Sequence, residues 1–244
     1  MGVVVGLCLR SKRLDFMKNA FFKLPFQFDE QRLLNDLEIC LSENWKKHFN
    51  SQDYEGSWTS IALRSPTGKS DDILTIAKEN CYFDTPLLQK CNYFKQIIES
   101  FECAKETVRL LRLSPNSVVK EHNDFQLGYE YGFFRLHIPI KTSSEVSFRV
   151  GGNEIPMTAG ECWYANFHLP HSVANQSKIE RIHLVIDCLR NDWSDKLFES
   201  IGFDFAEAER ITQPDEATVK LIIERLKLMD TETADDLVRQ YEKK

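Results

Sequence analysis

The stretches Gly132-Phe133-Phe134-Arg135-Leu136-His137-Ile138-Pro139-Ile140 and Ile179-Glu180-Arg181-Ile182-His183-Leu184-Val185-Ile186-Asp187-Cys188 decide the fold. Side chains alternate between the faces of a strand. One face of the first stretch then carries Phe134, Leu136, Ile138 and Ile140, and the other carries Phe133, Arg135, His137 and Pro139. The second stretch repeats the pattern, with Ile182, Leu184, Ile186 and Cys188 opposite Ile179, Arg181, His183 and Val185. A single strand of this kind also fits a sheet with one solvated face. Two Arg-x-His faces with aliphatic neighbours fit a second arrangement, in which helices cover the apolar face and the Arg/His face points into a sandwich. A buried guanidinium needs an anion, and a small dicarboxylate held by two parallel hydrogen bonds satisfies it.

Outward from these strands, Thr107–Leu113, Glu145–Val150 and Cys162–Asn166 share the period of two, separated by the turn signals Ser114-Pro115-Asn116, Gly151-Gly152-Asn153 and Ala159-Gly160. Short strands at this spacing predict a sandwich or barrel. On the N-terminal side, Leu34, Leu37, Leu41 and Trp45 predict a helix from an N-cap at Asp29 to about Phe49. A second helix is predicted over Pro86–Phe101, with Cys91, Phe94, Ile98 and Phe101 on one stripe, and a strand over Ser57–Arg64 between the two. From Ser194 to Lys244 the period is helical again: Val219, Ile222, Ile223, Leu226 and Met229 share a face after Pro214, and a shorter helix follows near Ala234–Tyr241. The expected organisation is an N-terminal extension over residues 1–16, a β-rich domain with N-terminal helices over 17–193, and a C-terminal helical segment over 194–244.

Composition narrows the function. The 244 residues carry 31 Lys plus Arg against 37 Asp plus Glu, a net charge of −6, which argues against non-specific nucleic-acid binding. No apolar run approaches the roughly 18 residues of a membrane span, and Val3–Leu9 is too short for a secretory core and precedes its basic cluster. Seven cysteines, with no CxxC pair, read as reduced thiols of a cytoplasmic protein.

Glu121-His122-Asn123-Asp124 follows the strand-like Val118-Val119, and in extended chain His122 and Asp124 point the same way. An ion shared by this imidazole and this carboxylate needs another histidine. His171, in Leu169-Pro170-His171-Ser172-Val173, is the candidate, with His168 as its rival; His48 reads as a surface residue of the first helix. Two imidazoles and a carboxylate occupy one face of an octahedral ion and leave positions open, as in non-haem Fe(II) oxygenases. Arg181 stands ten residues beyond His171, able to reach a carboxylate whose other end chelates the ion.

Arg135-Leu136-His137-Ile138-Pro139, Gly160-Glu161-Cys162-Trp163-Tyr164-Ala165-Asn166, His171-Ser172-Val173-Ala174-Asn175 and Arg181-Ile182-His183-Leu184-Val185-Ile186-Asp187 together resemble the aspartyl/asparaginyl β-hydroxylase family over about Val108 to Asp187. The resemblance implies a double-stranded β-helix (jelly-roll, cupin-like) core and an Fe(II)/2-oxoglutarate dioxygenase using O₂. It implies His122, Asp124 and His171 as metal ligands and catalytic centre, Arg181 on the far carboxylate of 2-oxoglutarate, and Arg135 and His137 in or beside the same pocket. Animal peptidyl hydroxylases of the family have glycine where Asp124 stands, whereas the bacterial free-proline hydroxylases keep His-x-Asp with a final His and add a C-terminal helical segment. The expected substrate is accordingly a small amino acid or derivative, with Arg135, His137 or His183 available to clamp its carboxylate. Hydroxylation of Asp or Asn in a peptide, and a cupin-type metalloprotein without 2-oxoglutarate, are the alternatives.

Overall fold

The computed structural model describes residues 18–77, 80–214, 216–229 and 231–242. The expected extension over residues 1–16 lies outside the described residues. The chain divides into two compact units, one ending at Asp204 and one beginning at Phe205. The first opens with β1 (Phe21–Gln27), α1 (Glu30–Leu41), β2 (Lys46–Lys47), β3 (Tyr54–Glu55), β4 (Trp58–Ser65), β5 (Phe83–Asp84) and α2 (Asn92–Ser100). Its strands continue through β6 (Lys105–Leu113), β7 (Ser117–His122), β8 (Phe133–Lys141), β9 (Val146–Val150), β10 (Asn153–Glu154), β11 (Glu161–Ala165), β12 (His171–Asn175) and β13 (Arg181–Leu189), and it closes with α3 (Asp192–Ser200).

Eight strands form one antiparallel sheet in the order β1-β11-β8-β13-β6-β4-β2, with β5 added on β4; five form the other, in the order β10-β9-β12-β7-β3. This is the double-stranded β-helix. The Arg/His strands β8 and β13 pair at the centre of the large sheet. Their apolar faces look outward, where Phe198 of α3 packs against Phe134 and Tyr164, with ring centroids 5.4 and 5.0 Å away. Burial of a ring such as Phe198 contributes roughly 1.5–3 kcal/mol. Between the sheets, Phe148, Val150, Phe167, Leu169 and Val173 pack with Trp163 in the core.

Several expected elements are displaced, for local reasons. The first helix stops at Leu41, where the chain folds back and Trp45 Nε1 donates to the carbonyl of Cys40 at 2.9 Å. Its buried face is Leu33, Leu37 and Cys40 rather than the stripe through Leu34 and Leu41, and Asp29 caps it by accepting from the N–H of Arg32 at 2.9 Å. The second helix begins at Asn92 after a single 3₁₀ turn over Leu88–Lys90. The carboxylate of Asp36, reaching across from α1, accepts the otherwise orphaned N–H groups of Tyr93 and Phe94 at 2.7 and 2.8 Å. Strand β1 carries no clear sequence signal because Pro25 interrupts it. As the edge of its sheet it tolerates the proline, and the register with β11 shifts between Leu24 and Gln27.

The second unit contains α4 (Phe205–Thr212), α5 (Glu216–Lys227) and α6 (Glu232–Glu242), the last burying Ala234 and Val238. Among the described residues no helix is long and apolar enough to cross a membrane.

Candidate metal centre and active-site cavity

The small sheet brings the candidate ligands together. In the β7–β12 ladder His171 stands directly opposite His122, and their ring centroids are 4.2 Å apart. Each Nδ1 lies against a backbone carbonyl, that of Lys120 at 2.8 Å for His122 and that of Leu169 at 3.0 Å for His171. Such a bond makes Nδ1 the protonated nitrogen and leaves Nε2 as the donor for a metal, the arrangement that orients metal-binding imidazoles generally. Burial lowers the pKa of His171 to about 4, so its ring is neutral at neutral pH. Asp124 lies just past β7, where its N–H donates to the carbonyl of Phe167 at 2.8 Å. Its Oδ2 accepts from Arg135 Nη1 at 3.1 Å, leaving Oδ1 for an ion. One donor atom from each of His122, Asp124 and His171 falls within 4.8 Å of the others. Two imidazoles and one carboxylate fit Fe(II), and also Mn(II) or Ni(II).

His168, the rival ligand, is committed elsewhere. Its Nδ1 accepts from the N–H of Gln126 and its Nε2 bonds the Tyr131 hydroxyl, both at 3.2 Å. His48 is neither helical nor superficial. It follows β2, stacks on Trp58 with ring centroids 3.7 Å apart and lines the cavity beside the triad; burial lowers its pKa to about 4.

The triad opens into a cavity of about 630 Å³ between the sheets, within the range typical of small-molecule sites. Arg181 lines it, 2% exposed, its guanidinium over the Phe148 ring. Nη2 of Arg181 bonds His183 Nδ1 at 2.9 Å, and its Nε is buried without a partner. No carboxylate among the described residues pairs with it, although even at the value near 9 that burial imposes the group stays cationic at neutral pH. His137 also lines the cavity, its Nδ1 3.3 Å from that of His183 and its Nε2 buried and unpartnered. Burial first, then the nearby Arg181, pushes both imidazoles well below their ordinary range, so both are neutral.

Residues 27–191 match the model of the aspartyl/asparaginyl beta-hydroxylase family. The chain belongs to this family. The β-hydroxylase match runs from the last residue of β1 to the residue before α3, and so contains every strand after β1, the triad and Arg181. Among curated relatives, the L-proline cis-4-hydroxylase of Rhizobium meliloti (strain 1021) is 29% identical over 191 residues, covering 77% of this chain and 64% of that protein. The L-proline cis-3-hydroxylase 1 of a Streptomyces species is 27% identical over 165 residues, covering 66% and 57%. The chain thus spans under two thirds of the length of either relative. A solved oxidoreductase of the 2OG-Fe(II) oxygenase family from Burkholderia pseudomallei superposes with a TM-score of 0.49 at 13% identity, covering 74% of this chain and 90% of that one.

The β-hydroxylase core holds three charged residues to which the sequence reading assigned no role. Asp187, on the inner face of β13, accepts from Arg135 Nε at 2.6 Å and Nη2 at 3.3 Å, from Arg109 Nη2 at 3.1 Å, and from the Thr107 hydroxyl. Arg135, expected beside a co-substrate or substrate carboxylate, therefore directs its donors to Asp187 and Asp124. Burial opposes the charge on Asp187, but Arg135 and Arg109 outweigh it and hold the carboxyl well below the usual carboxylate range. Arg109 is 5% exposed and lines the cavity; only Nη2 meets Asp187, and its Nε is buried and unpartnered. The third residue, Glu106, lines the same cavity.

Proposed function

We propose that the chain is an Fe(II)- and 2-oxoglutarate-dependent hydroxylase of a small free amino acid, L-proline or a close analogue, working in the cytoplasm. The observation that carries this reading is Arg181: a buried guanidinium that shares its cavity with a two-histidine, one-carboxylate cluster, with no carboxylate among the described residues to neutralise it. A cupin metalloprotein that does not use 2-oxoglutarate has no use for such a charge. The curated relatives named as proline hydroxylases support the substrate class, and the buried thiols of Cys40, Cys91, Cys103, Cys162 and Cys188, unbridged among the described residues, support a reducing compartment.

His122, Asp124 and His171 hold the metal. When bound there, Fe(II) supplies O₂ activation coupled to oxidation of 2-oxoglutarate to succinate and CO₂ and to hydroxylation of an unactivated C–H bond. Arg181 anchors the far carboxylate of 2-oxoglutarate by its planar fork, and Phe148 beneath it keeps water from that ion pair. His137 offers Nε2 to an oxygen of the bound acids. Arg135 holds Asp124 in place, and the substrate carboxylate goes to the free Nε of Arg109, a residue already half neutralised by Asp187.

Arg181→Lys tests the reading. An ammonium cannot reproduce the two-point contact. The apparent Michaelis constant for 2-oxoglutarate should rise about 10–100-fold, while Mn(II) affinity stays within about twofold because Arg181 does not touch the triad. Unchanged dependence on 2-oxoglutarate, measured by succinate release, would remove Arg181 from the co-substrate site.

A further inference from the structure

Glu106 stands three residues from Arg109 on β6, and strict alternation sends two such side chains to opposite faces. The ladder with β13 breaks at this place. Ile186 pairs with Val108, but Cys188 pairs with Lys105, so Glu106 and Thr107 together stand opposite Asp187. An extra residue of this kind twists the strand and re-aims a side chain. Glu106 and Arg109 accordingly line the same cavity.

The other carboxylates of the lining have partners: Asp124 has Arg135, Asp187 has Arg109 and Arg135, and Asp53 has the Asn50 amide. Glu106 is half-buried and forms no hydrogen bond or ion pair among the described residues. The cations around it are engaged elsewhere, Arg64 with Asp84 and the Lys105 carbonyl, Lys105 with the Phe101 carbonyl, and Arg135 with the two aspartates. Burial and then the nearby Asp187 raise its pKa, against Arg135. A half-desolvated carboxylate in a cavity wall is a receptor for a cation.

We propose that Glu106 receives the ammonium group of the amino acid whose carboxylate lies on Arg109, so that one bulged strand reads both ends of a free zwitterion. This rests on the amino-acid hydroxylase reading and narrows it, because a residue within a peptide has no free ammonium for Glu106. Calorimetric titration of the protein loaded with Mn(II) and 2-oxoglutarate, first with L-proline and then with the other free amino acids, identifies the tightest binder. That compound is then compared with its N-acetyl derivative on the wild type and on Glu106→Gln. The wild type should prefer the free amine at least about 30-fold. Glu106→Gln should weaken the free amino acid about 10–100-fold and the N-acetyl compound less than about threefold, cutting the preference by about threefold or more. Glu106→Asp, which keeps the charge on a shorter arm, should fall between. A preserved preference in Glu106→Gln, or equal losses on both compounds, overturns the proposal. A wild type that consumes 2-oxoglutarate but binds no free amino acid also overturns it, and leaves the oxygenase reading standing. Amine-selective binding that depends on Glu106, without consumption of 2-oxoglutarate, sinks the oxygenase reading instead.

Discussion

His171→Ala abolishes stoichiometric binding of Fe(II) or Mn(II), while His168→Ala leaves it intact: that is the largest effect expected of any single change in this protein. Loss of a residue that merely orients a ligand costs roughly 10–100-fold in metal affinity, so loss of the ligand itself should exceed about 100-fold. Its partner across the β7–β12 ladder, His122, cannot compensate, because its Nδ1 is already bonded to the Lys120 carbonyl and it would offer an ion Nε2 alone. His168 has both nitrogens engaged with Gln126 and Tyr131. Anaerobic titration of both variants decides the matter, and loss of binding in His168→Ala with retention in His171→Ala would refute the ligand assignment.

Asp187→Ala should be nearly as damaging, but to the fold. It leaves the buried guanidinium groups of Arg109 and Arg135 without their common counter-ion. Removing one partner of a buried charge cluster costs about 3–5 kcal/mol. At this chain length that lowers the melting temperature by roughly 6–20 °C. Arg135 would also be drawn further onto Asp124, so metal affinity should fall about 10–100-fold in whatever protein remains folded. The pH dependence has a definite sign. Because folding depresses the pKa of Asp187, its stabilisation is fully present above the unfolded value of about 4 and is lost as pH falls through the lower folded value. Asp187→Ala should therefore flatten the acid side of the stability curve. Melting within about 2 °C of the wild type at neutral pH would show that the two arginines do not depend on Asp187.

The sandwich was legible because β8 and β13 alternate without interruption, apolar outward and Arg-x-His inward. The triad was legible because His122 and Asp124 are close in sequence and His171 is one of few histidines left to complete it. Arg109 was not, since Val108-Arg109-Leu110-Leu111-Arg112 offers two arginines on opposite faces and no rule says which is buried. In the structure it is Arg109 that faces the cavity, while Arg112 lies over the Trp45 ring. Glu106 was hidden by the bulge, which breaks the alternation that a sequence reading depends on. Asp187 was quoted among the motif residues, but its role depends on pairing with β6 and β8, and neighbours from distant segments leave no local trace. His48 was misplaced because the apolar spacing from Leu34 to Trp45 continues past the point where the helix ends.

The outer edge of the large sheet has a consequence for how the molecule behaves among its own copies. An open strand is a template on which another chain can add, and natural sheets blunt such edges with lysine, proline and irregular pairing. Strand β1 has all three: Lys23, exposed and tied to Glu161, Pro25, and the register shift beside it. The backbone there cannot present an unbroken row of donors and acceptors. This edge therefore resists strand-by-strand self-association, and a chain with 17 phenylalanines is protected against aggregation there.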